Sequence, residues 1–410
     1  REFVSSFDRP NIRYTIVEKN NGRAQLLNYL KTEHSGDAGI VYCLSRKKVE
    51  ETAEFLSKNG IPALPYHAGL DINVRAANQA RFLREDNLIM TATIAFGMGI
   101  DKPNVRFVAH LDLPKSIEGY YQETGRAGRD GAPANAWMAY GLQDVVQQRR
   151  MIAESEAGDD FKRVQYAKLD AMIGLCETIT CRRVQLLHYF DQSSEPCGNC
   201  DTCLHPPKAM DGTEHVQKLL STVYRVKQRF ATGHIIDVLR GIDTERVQQF
   251  RHAELSTFGI GADVSEAEWR AVIRQTIAQN LLTVDFENYS SLQLTELARP
   301  VLKGEQKVKL RIYEKPVKAK RPSSHSTANV QDANLSDIEK AIFAALRSWR
   351  FETARAHNVP AYVIFLDATL REIAIEKPTR LSELRGLSGV GEKKLDNYGA
   401  EIIEVVADFI

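Results

Sequence analysis

The chain has 410 residues, of which 43% are hydrophobic and 26% charged, and its formal net charge is +1. That length accommodates roughly two to four domains with real cores, and the near-balanced charge excludes an overall electrostatic footprint, so a nucleic-acid surface must come from local clustering. No apolar run approaches the ~20 residues of a membrane span and no signal-peptide pattern occurs, so no membrane partner is expected.

The opening "REFVSSFDRPNIRY" lacks a Met and reads as mid-protein sequence, which leads us to expect a piece of a longer polypeptide. Residues 1–150 alternate short apolar runs with helical patterns. "AGIVYCL" (38–44) reads as a buried strand with Cys43 in the core, and "RKKVEETAEFLSKNG" (46–60) as an amphipathic helix ended by Gly60. "NLIMTAT" (87–93) and "RFVAHLDL" (106–113) are further strand runs, so strands separated by helices predict a parallel α/β sheet. "TATIAFGMGIDKPNV" (91–105) is a strand followed by a loop with Gly97, Gly99 and Asp101, and "YHAGL" (66–70) opens another loop. In such sheets ligands sit at the carboxyl ends of strands, where these loops are expected to converge. Ser116 caps the helix start in "SIEGYYQETG", although the residue three further on is Gly119 and not Glu.

In "YYQETGRAGRD" (120–130), Arg126 and Arg129 sit three apart among Gly125, Ala127 and Gly128. Arginine forks onto phosphate oxygens and glycine lets backbone approach a ligand; taken alone, the pattern fits surface arginines in a turn equally well. A P-loop, G-x-x-x-x-G-K-[ST], is absent from the sequence. The nearest imitation, "GLSGVGEK" (386–393), has Glu392 at the lysine position, and no DEAH-like Asp-Glu pair for magnesium occurs.

Six cysteines in a chain of this size suit a reducing cytoplasm and not a disulfide framework. Cys197, Cys200 and Cys203 form C-x-x-C-x-x-C, and Cys181 precedes them. Four thiolates suit tetrahedral Zn²⁺, with Gly198 letting one loop wrap the ion, and such a closed site leaves no position for catalysis. Unpaired structural cysteines and an iron–sulfur cluster are the alternatives. Cys176 competes with Cys181 as fourth ligand, and spacing does not choose between them.

Residues 211–304 begin helical. Ser265 with Glu268 forms a capping box before "EAEWRAVIRQTIAQN" (266–280), followed by the strand runs "LLTVDF" (281–286) and "SSLQL" (290–294). Thr295 is expected to cap a further short helix, and Phe258 and Trp269 to lie in the core. Residues 305–334 shift to Lys, Pro and Ser and read as a flexible basic linker. Residues 335–410 are a compact helical pattern. There Gly389 and Gly391 precede a helix start whose N–H groups could meet a phosphate beside Lys393 and Lys394. Tyr362 lies in an apolar run that fits burial.

"LSRKKVE", "YHAGL", "FGMGIDKPNVR" and "QETGRAGRDG", in this order, resemble the second motor lobe of superfamily 2 helicases. DEAD-box relatives usually carry His at the position of Gln122, and "FGMGIDKPNVR" with "SSFDRPNIRY" narrows the resemblance to the RecQ family of DNA helicases. It extends over nearly all of the chain. The resemblance implies a multidomain protein. An α/β RecA-like lobe with a parallel sheet (1–150) is followed by a helical zinc-binding domain (151–210), a winged helix (211–304), the linker and a C-terminal all-α HRDC domain (335–410).

It further implies that Arg129 is an arginine finger for the γ-phosphate, that Arg126 supports it, and that Gln122 lies in the same coupling motif. Gly99 and Asp101 would line the nucleotide cleft, and Cys181, Cys197, Cys200 and Cys203 would hold a structural zinc. Candidate DNA contacts are Arg46, His67, Thr93, Tyr362, on which a base could stack, and Lys393, with Tyr289 either a duplex wedge on the wing or simply an exposed turn tyrosine. Relatives use ATP and Mg²⁺ and act on single-stranded DNA and duplex junctions in a bacterial, nucleoid-associated setting. Bacterial relatives also bind the acidic tail of single-stranded DNA-binding protein through the winged helix, for which charge reversal at Arg274 is a test. Without a P-loop the chain alone is expected to hydrolyse no ATP at a useful rate. The competing reading is a non-enzymatic DNA-binding and protein-docking module; an RNA helicase lobe is disfavoured by Gln122 and by the cysteine and winged-helix segments.

Overall fold

The computed structural model describes residues 6–96, 100–285, 291–312, 335–357 and 359–410. The first part is an α/β lobe of β1 (Ile12–Glu18), α1 (Gly22–Glu33), β2 (Gly39–Tyr42), α2 (Arg46–Lys58), β3 (Ala63–Tyr66), α3 (Ile72–Arg84), β4 (Ile89–Ala92), β5 (Phe107–His110), α4 (Ile117–Thr124) and β6 (Ala134–Tyr140). The strand order is β1-β6-β5-β2-β4-β3. The pairs β6–β5, β5–β2, β2–β4 and β4–β3 are all parallel, as the sequence predicts. β2, β4 and β5 are buried at every residue, the pattern of strands covered on both faces. Cys43 lies in this core. Gly39 is required there, because a Cβ would stand 2.0 Å from the Phe107 ring. The Ser45 side chain accepts from the Lys48 amide to start α2, and Ser116 Oγ accepts from the Gly119 amide at 3.2 Å to start α4.

The helices that follow are α5 (Leu142–Ala153), α6 (Asp159–Glu177), α7 (Arg182–Tyr189) and α8 (Asp201–Leu204). The winged helix comprises β7 (Ala209–Asp211), α9 (Thr213–Arg225), α10 (Thr232–Arg240), α11 (Glu245–Gln249), α12 (Glu266–Ala278), β8 (Leu282–Asp285), β9 (Ser291–Leu294), α13 (Ala298–Leu302) and β10 (Lys309–Arg311). α9 buries Val216, Leu219, Leu220 and Val223 at helical spacing on one face. α12 begins with the Ser265–Glu268 capping box, and Trp269 is fully buried with its indole N–H donating to the Gly261 carbonyl at 3.0 Å. β8 and β9 pair antiparallel to form the wing.

Three expectations change here. Phe258 is only half-buried. Thr295 does not cap α13 with its side chain; its hydroxyl donates to the Asn280 carbonyl at 2.6 Å and so anchors the end of the wing. Lys309–Arg311, assigned to the linker on composition, pairs antiparallel with Ala209–Asp211.

Arg149 joins Asp170 and donates to Thr283 Oγ1 at 2.8 Å, and Arg274 joins Glu177, which also accepts from the Tyr140 hydroxyl. These buried ion pairs lock α5 and α6 to the winged helix. Arg274 is 3% exposed, so its charge reversal would test folding; the expectation of a docking surface there is corrected.

The C-terminal helices are α14 (Asp337–Ala356), α15 (Ala361–Ile364), α16 (Asp367–Glu376), α17 (Leu381–Leu384) and α18 (Glu392–Ala407). They enclose their own core, with Leu346, Phe365, Leu370, Ile373 and Ile402 fully buried. The chain divides into two compact units: one joins the sheet lobe to these helices, and the other runs through α5 to β10.

Candidate functional site

The two arginines sit in the turn between α4 and β6, and that turn is held by backbone carbonyls. Arg9 donates to the carbonyls of Gly125 and Ala127 at 3.0 Å and of Gly128 at 3.2 Å. Asn11 donates to the carbonyls of Gly128 at 2.8 Å and Ala132 at 2.9 Å. Gly128 has φ +58°, and a Cβ would meet Asn11 Nδ2 at 2.4 Å and the Ala132 carbonyl at 2.7 Å, so only glycine fits. These anchors were missed in the sequence, where "FDRPNIRY" served only to identify a family.

Arg129 donates to the Ile100 carbonyl at 3.0 Å and to Asp101 Oδ1 at 2.6 Å. Its side chain keeps 36% of its surface and that of Asp101 85%, so the pair lies open to solvent. Arg126 is half-buried and Gln122 exposed. Beneath them, burial pushes the Tyr42 phenol well above its ordinary pKa, against the opposing pull of Arg126. Tyr42 therefore stays a neutral donor, to the Phe96 carbonyl at 2.9 Å. His110 Nε2 meets Glu123 Oε2 at 2.7 Å, fixing α4 over β5.

The glycine-bearing and arginine-bearing loops do meet, as expected, but not off the carboxyl ends of strands. The Gly128 amide donates to Val105 O at 2.8 Å and the Asp130 amide to Pro103 O at 3.3 Å, which places the turn where the chain enters β5. Gly99 lies outside the described residues, as does Tyr289.

A second cluster forms at the carboxyl ends of β2, β3 and β4. Arg46, exposed at the start of α2, has its guanidinium 3.0 Å from where a Cβ on Gly69 would stand. The Thr93 amide donates to Tyr66 O at 3.3 Å, and Thr93 is half-buried. His67 differs from the expectation of a DNA contact. It is 3% exposed, its Nε2 meets Glu50 Oε1 at 2.9 Å, and its Nδ1 accepts from the Gly69 amide at 3.2 Å. With both ring nitrogens engaged, it shapes the turn beside Arg46.

The cysteine centre is compact. Cys181 and Cys200 stand at the N-caps of α7 and α8, Cys203 lies on α8, and the four sulfurs are all within 4.8 Å of one another. Zn–S bonds of about 2.3 Å in a tetrahedron require sulfur separations of about 3.8 Å. The Cys181–Cys200 and Cys197–Cys203 sulfurs are 3.8 and 4.0 Å apart, so the set fits one zinc ion; a multi-iron core would hold the sulfurs further apart. Gly198, at φ +69°, turns the chain between two ligands. The amides of Cys197 and Cys200 donate to the sulfurs of Cys181 and Cys197 at 3.3 Å, which stabilises thiolate. Arg182, 1% exposed, forks onto both Asp201 oxygens at 2.6 and 2.9 Å and clamps α7 to α8 behind the ligands. Cys176 is buried on α6 and lies outside this set.

In the C-terminal helices Tyr362 is half-buried and Lys393 exposed. Gly389, at φ +83°, abuts Thr369, and Lys394 lies 4.9 Å from the Phe365 ring centroid, where burial lowers its pKa.

Among known proteins, residues 21–131 match the helicase conserved C-terminal domain, 142–204 the RecQ zinc-binding domain, 206–319 the RQC domain and 339–406 the HRDC domain. The chain is 42% identical over 409 residues to an ATP-dependent DNA helicase RecQ of Pasteurella multocida, covering 98% of this chain and 63% of that protein. It is 42% identical over 409 residues to the Haemophilus influenzae protein of the same name, covering 99% and 65%. For the Bacillus subtilis protein of that name the identity is 34% over 403 residues, covering 98% and 65%. The chain thus spans a little under two thirds of the length of these curated relatives. Among the described residues, no helix is long and apolar enough to cross a membrane.

Proposed function

The chain belongs to the RecQ family of DNA helicases, matching the C-terminal region of its members, and we propose that it contributes the second motor lobe and the DNA-holding domains of an ATP-dependent 3′-to-5′ helicase. The observation that carries this is Arg129, its turn braced by Arg9 and Asn11, its side chain open to solvent and engaged through Nη1 with the Ile100 carbonyl and Asp101. A guanidinium held this way can transfer from Asp101 to the oxygens of a transferring phosphoryl group, stabilising charge as it develops. In this reading Arg126 supports the turn, the exposed Gln122 couples it to bound DNA, and Asp101 lines the nucleotide side. ATP and Mg²⁺ are the cofactors of this cycle.

DNA is the partner. In this reading Arg46 and Thr93 meet the backbone of a single strand, the winged helix holds the duplex ahead, and Tyr362 and Lys393 offer a weaker strand site. Zinc, held by Cys181, Cys197, Cys200 and Cys203, gives the intervening segment its shape. An acidic tail of single-stranded DNA-binding protein is a further partner; the exposed Arg225, Lys227 and Arg229 suit it better than the buried Arg274.

The test is DNA-stimulated ATP hydrolysis by the pure chain, with and without an added P-loop lobe. Silence alone and activity on complementation would support the proposal. Turnover by the chain alone would refute it, and silence in both would favour a non-enzymatic DNA-binding module.

A further inference from the structure

The unit that contains the sheet also holds a buried polar cluster unused by the proposed function. Arg347 and Arg350 on α14 lie three apart and share one face. Arg350 is 0% exposed, and its Nη2 stands 2.9 Å from Asp86 Oδ2 and 2.6 Å from Asp367 Oδ1. Arg347 Nη2 donates to the Gly36 carbonyl at 3.1 Å, and its Nη1 lies 4.0 Å from Asp37 Oδ1. Gly36 and Asp37 lead into β2 and Asp86 leads into β4, so α14 seats on the amino edge of the sheet. Asp86 Oδ1 also accepts from Asn104 Nδ2 at 2.8 Å and lies 3.5 Å from Lys102 Nζ. Those two residues belong to the loop 100–106, whose Asp101 pairs with Arg129.

The charges divide in an informative way. On the lobe, Asp86 retains Lys102 if α14 departs; on the helical domain, Asp367 retains Arg350. Burial raises the Asp367 pKa, but Arg350 outweighs it and brings the carboxyl down to about 2, so the pair is ionised. Removing one partner of a buried ion pair is strongly destabilising because it strands a charge. Here separation leaves Asp86 with Lys102, Asp367 with Arg350 and Asp37 with His34, and the helical domain keeps its own apolar core.

We infer that the C-terminal helical domain is a releasable clamp on the motor lobe: α14 seats between Asp37 and Asp86, and the seated domain holds the loop 100–106 in the arrangement that pairs Asp101 with Arg129. The clamp rests on these contacts and is independent of any catalytic role for Arg129.

Hydrogen–deuterium exchange and small-angle scattering on the whole chain test it, comparing the parent with Arg347→Ala and Asp86→Asn. Losing a hydrogen bond to a charged group should speed amide exchange across residues 100–106 by about tenfold or more, while α14 and α16 keep their protection. The radius of gyration should rise as the clamp opens. Unchanged exchange in the loop overturns the inference, and so does faster exchange with no expansion. If Asp86→Asn also loosens β2 and β4, the lobe itself has been damaged. Arg347→Ala, which changes the other partner, then decides.

Discussion

At the cysteine centre every device points inward. Two helix N-caps, a left-handed glycine and a buried Arg182–Asp201 fork bring four sulfurs to the spacing of one ion. At the arginine turn similar devices serve the opposite end: a left-handed glycine and half-buried donors from Arg9 and Asn11 hold the backbone, and the charged tip of Arg129 is left outside. The cysteine centre gathers four fitting ligands on this chain, whereas under the proposed function the arginine turn is half of a site. The difference teaches that rigidity is not itself a sign of structural duty, since a group can be braced so that something else completes it.

The comparison predicts opposite responses to substitution. Cys200→Ser should be the most damaging change. Structural zinc contributes about 10–16 kcal/mol of apparent folding energy, so the variant should lose bound metal and cooperative folding of the α7–α8 segment. Zinc content by mass spectrometry under native conditions and far-UV circular dichroism would show it, and a variant that kept one zinc per chain would contradict a four-cysteine site.

Arg129→Ala should do the reverse. Complemented ATP hydrolysis should fall by ~10³–10⁵-fold, with stability changed by less than about 1 kcal/mol. Arg9→Ala breaks the contrast in an instructive way: it should cost about 1.5–3 kcal/mol of stability and lower hydrolysis as well, because the turn itself loosens. Denaturant melts beside turnover would separate the two; equal stability loss in both variants would mean that Arg129 is structural.

The smallest effect concerns a closed polar pair with no metal. His234 Nε2 lies 2.7 Å from His252 Nδ1, and burial together with His252 brings the His234 pKa down to about 4 from 6.5. The unfolded chain therefore takes up the proton first. Stability from the neutral pair is complete above about pH 6.5 and is lost as pH falls towards about 4, at no more than about 1.4 kcal/mol per unit for one proton. Thermal melts between pH 6.5 and 5 should show the decline, and His234→Gln should flatten it; an equal slope in the variant would assign the loss to other groups.

Much of this was legible because the signals are local. The Ser265–Glu268 box spans four residues, most of the cysteine cluster is read from a seven-residue motif, and the buried strands announce themselves as apolar runs. What escaped depends on partners distant in sequence. Arg9 acts on carbonyls more than a hundred residues away, and nothing in its neighbours' chemistry distinguishes it from a surface arginine. His67 was expected at the DNA from the family resemblance, yet Glu50 on the facing helix closes its second nitrogen. The Cys176 ambiguity was one of direction: α6 ends just after it and buries it away from the cluster, which spacing cannot express.

The pairing of β7 with β10 has a practical consequence for dissecting the protein. Val308 and Leu310 are almost fully buried, and Leu310 packs where a side chain on Gly212 would otherwise stand. A fragment ended at residue 304, as composition suggests, would forfeit this burial and bare the edge of β7 to other chains. Excised at 206–312, the same domain would keep both ends zipped together, so fusion partners attached to its two termini would emerge side by side.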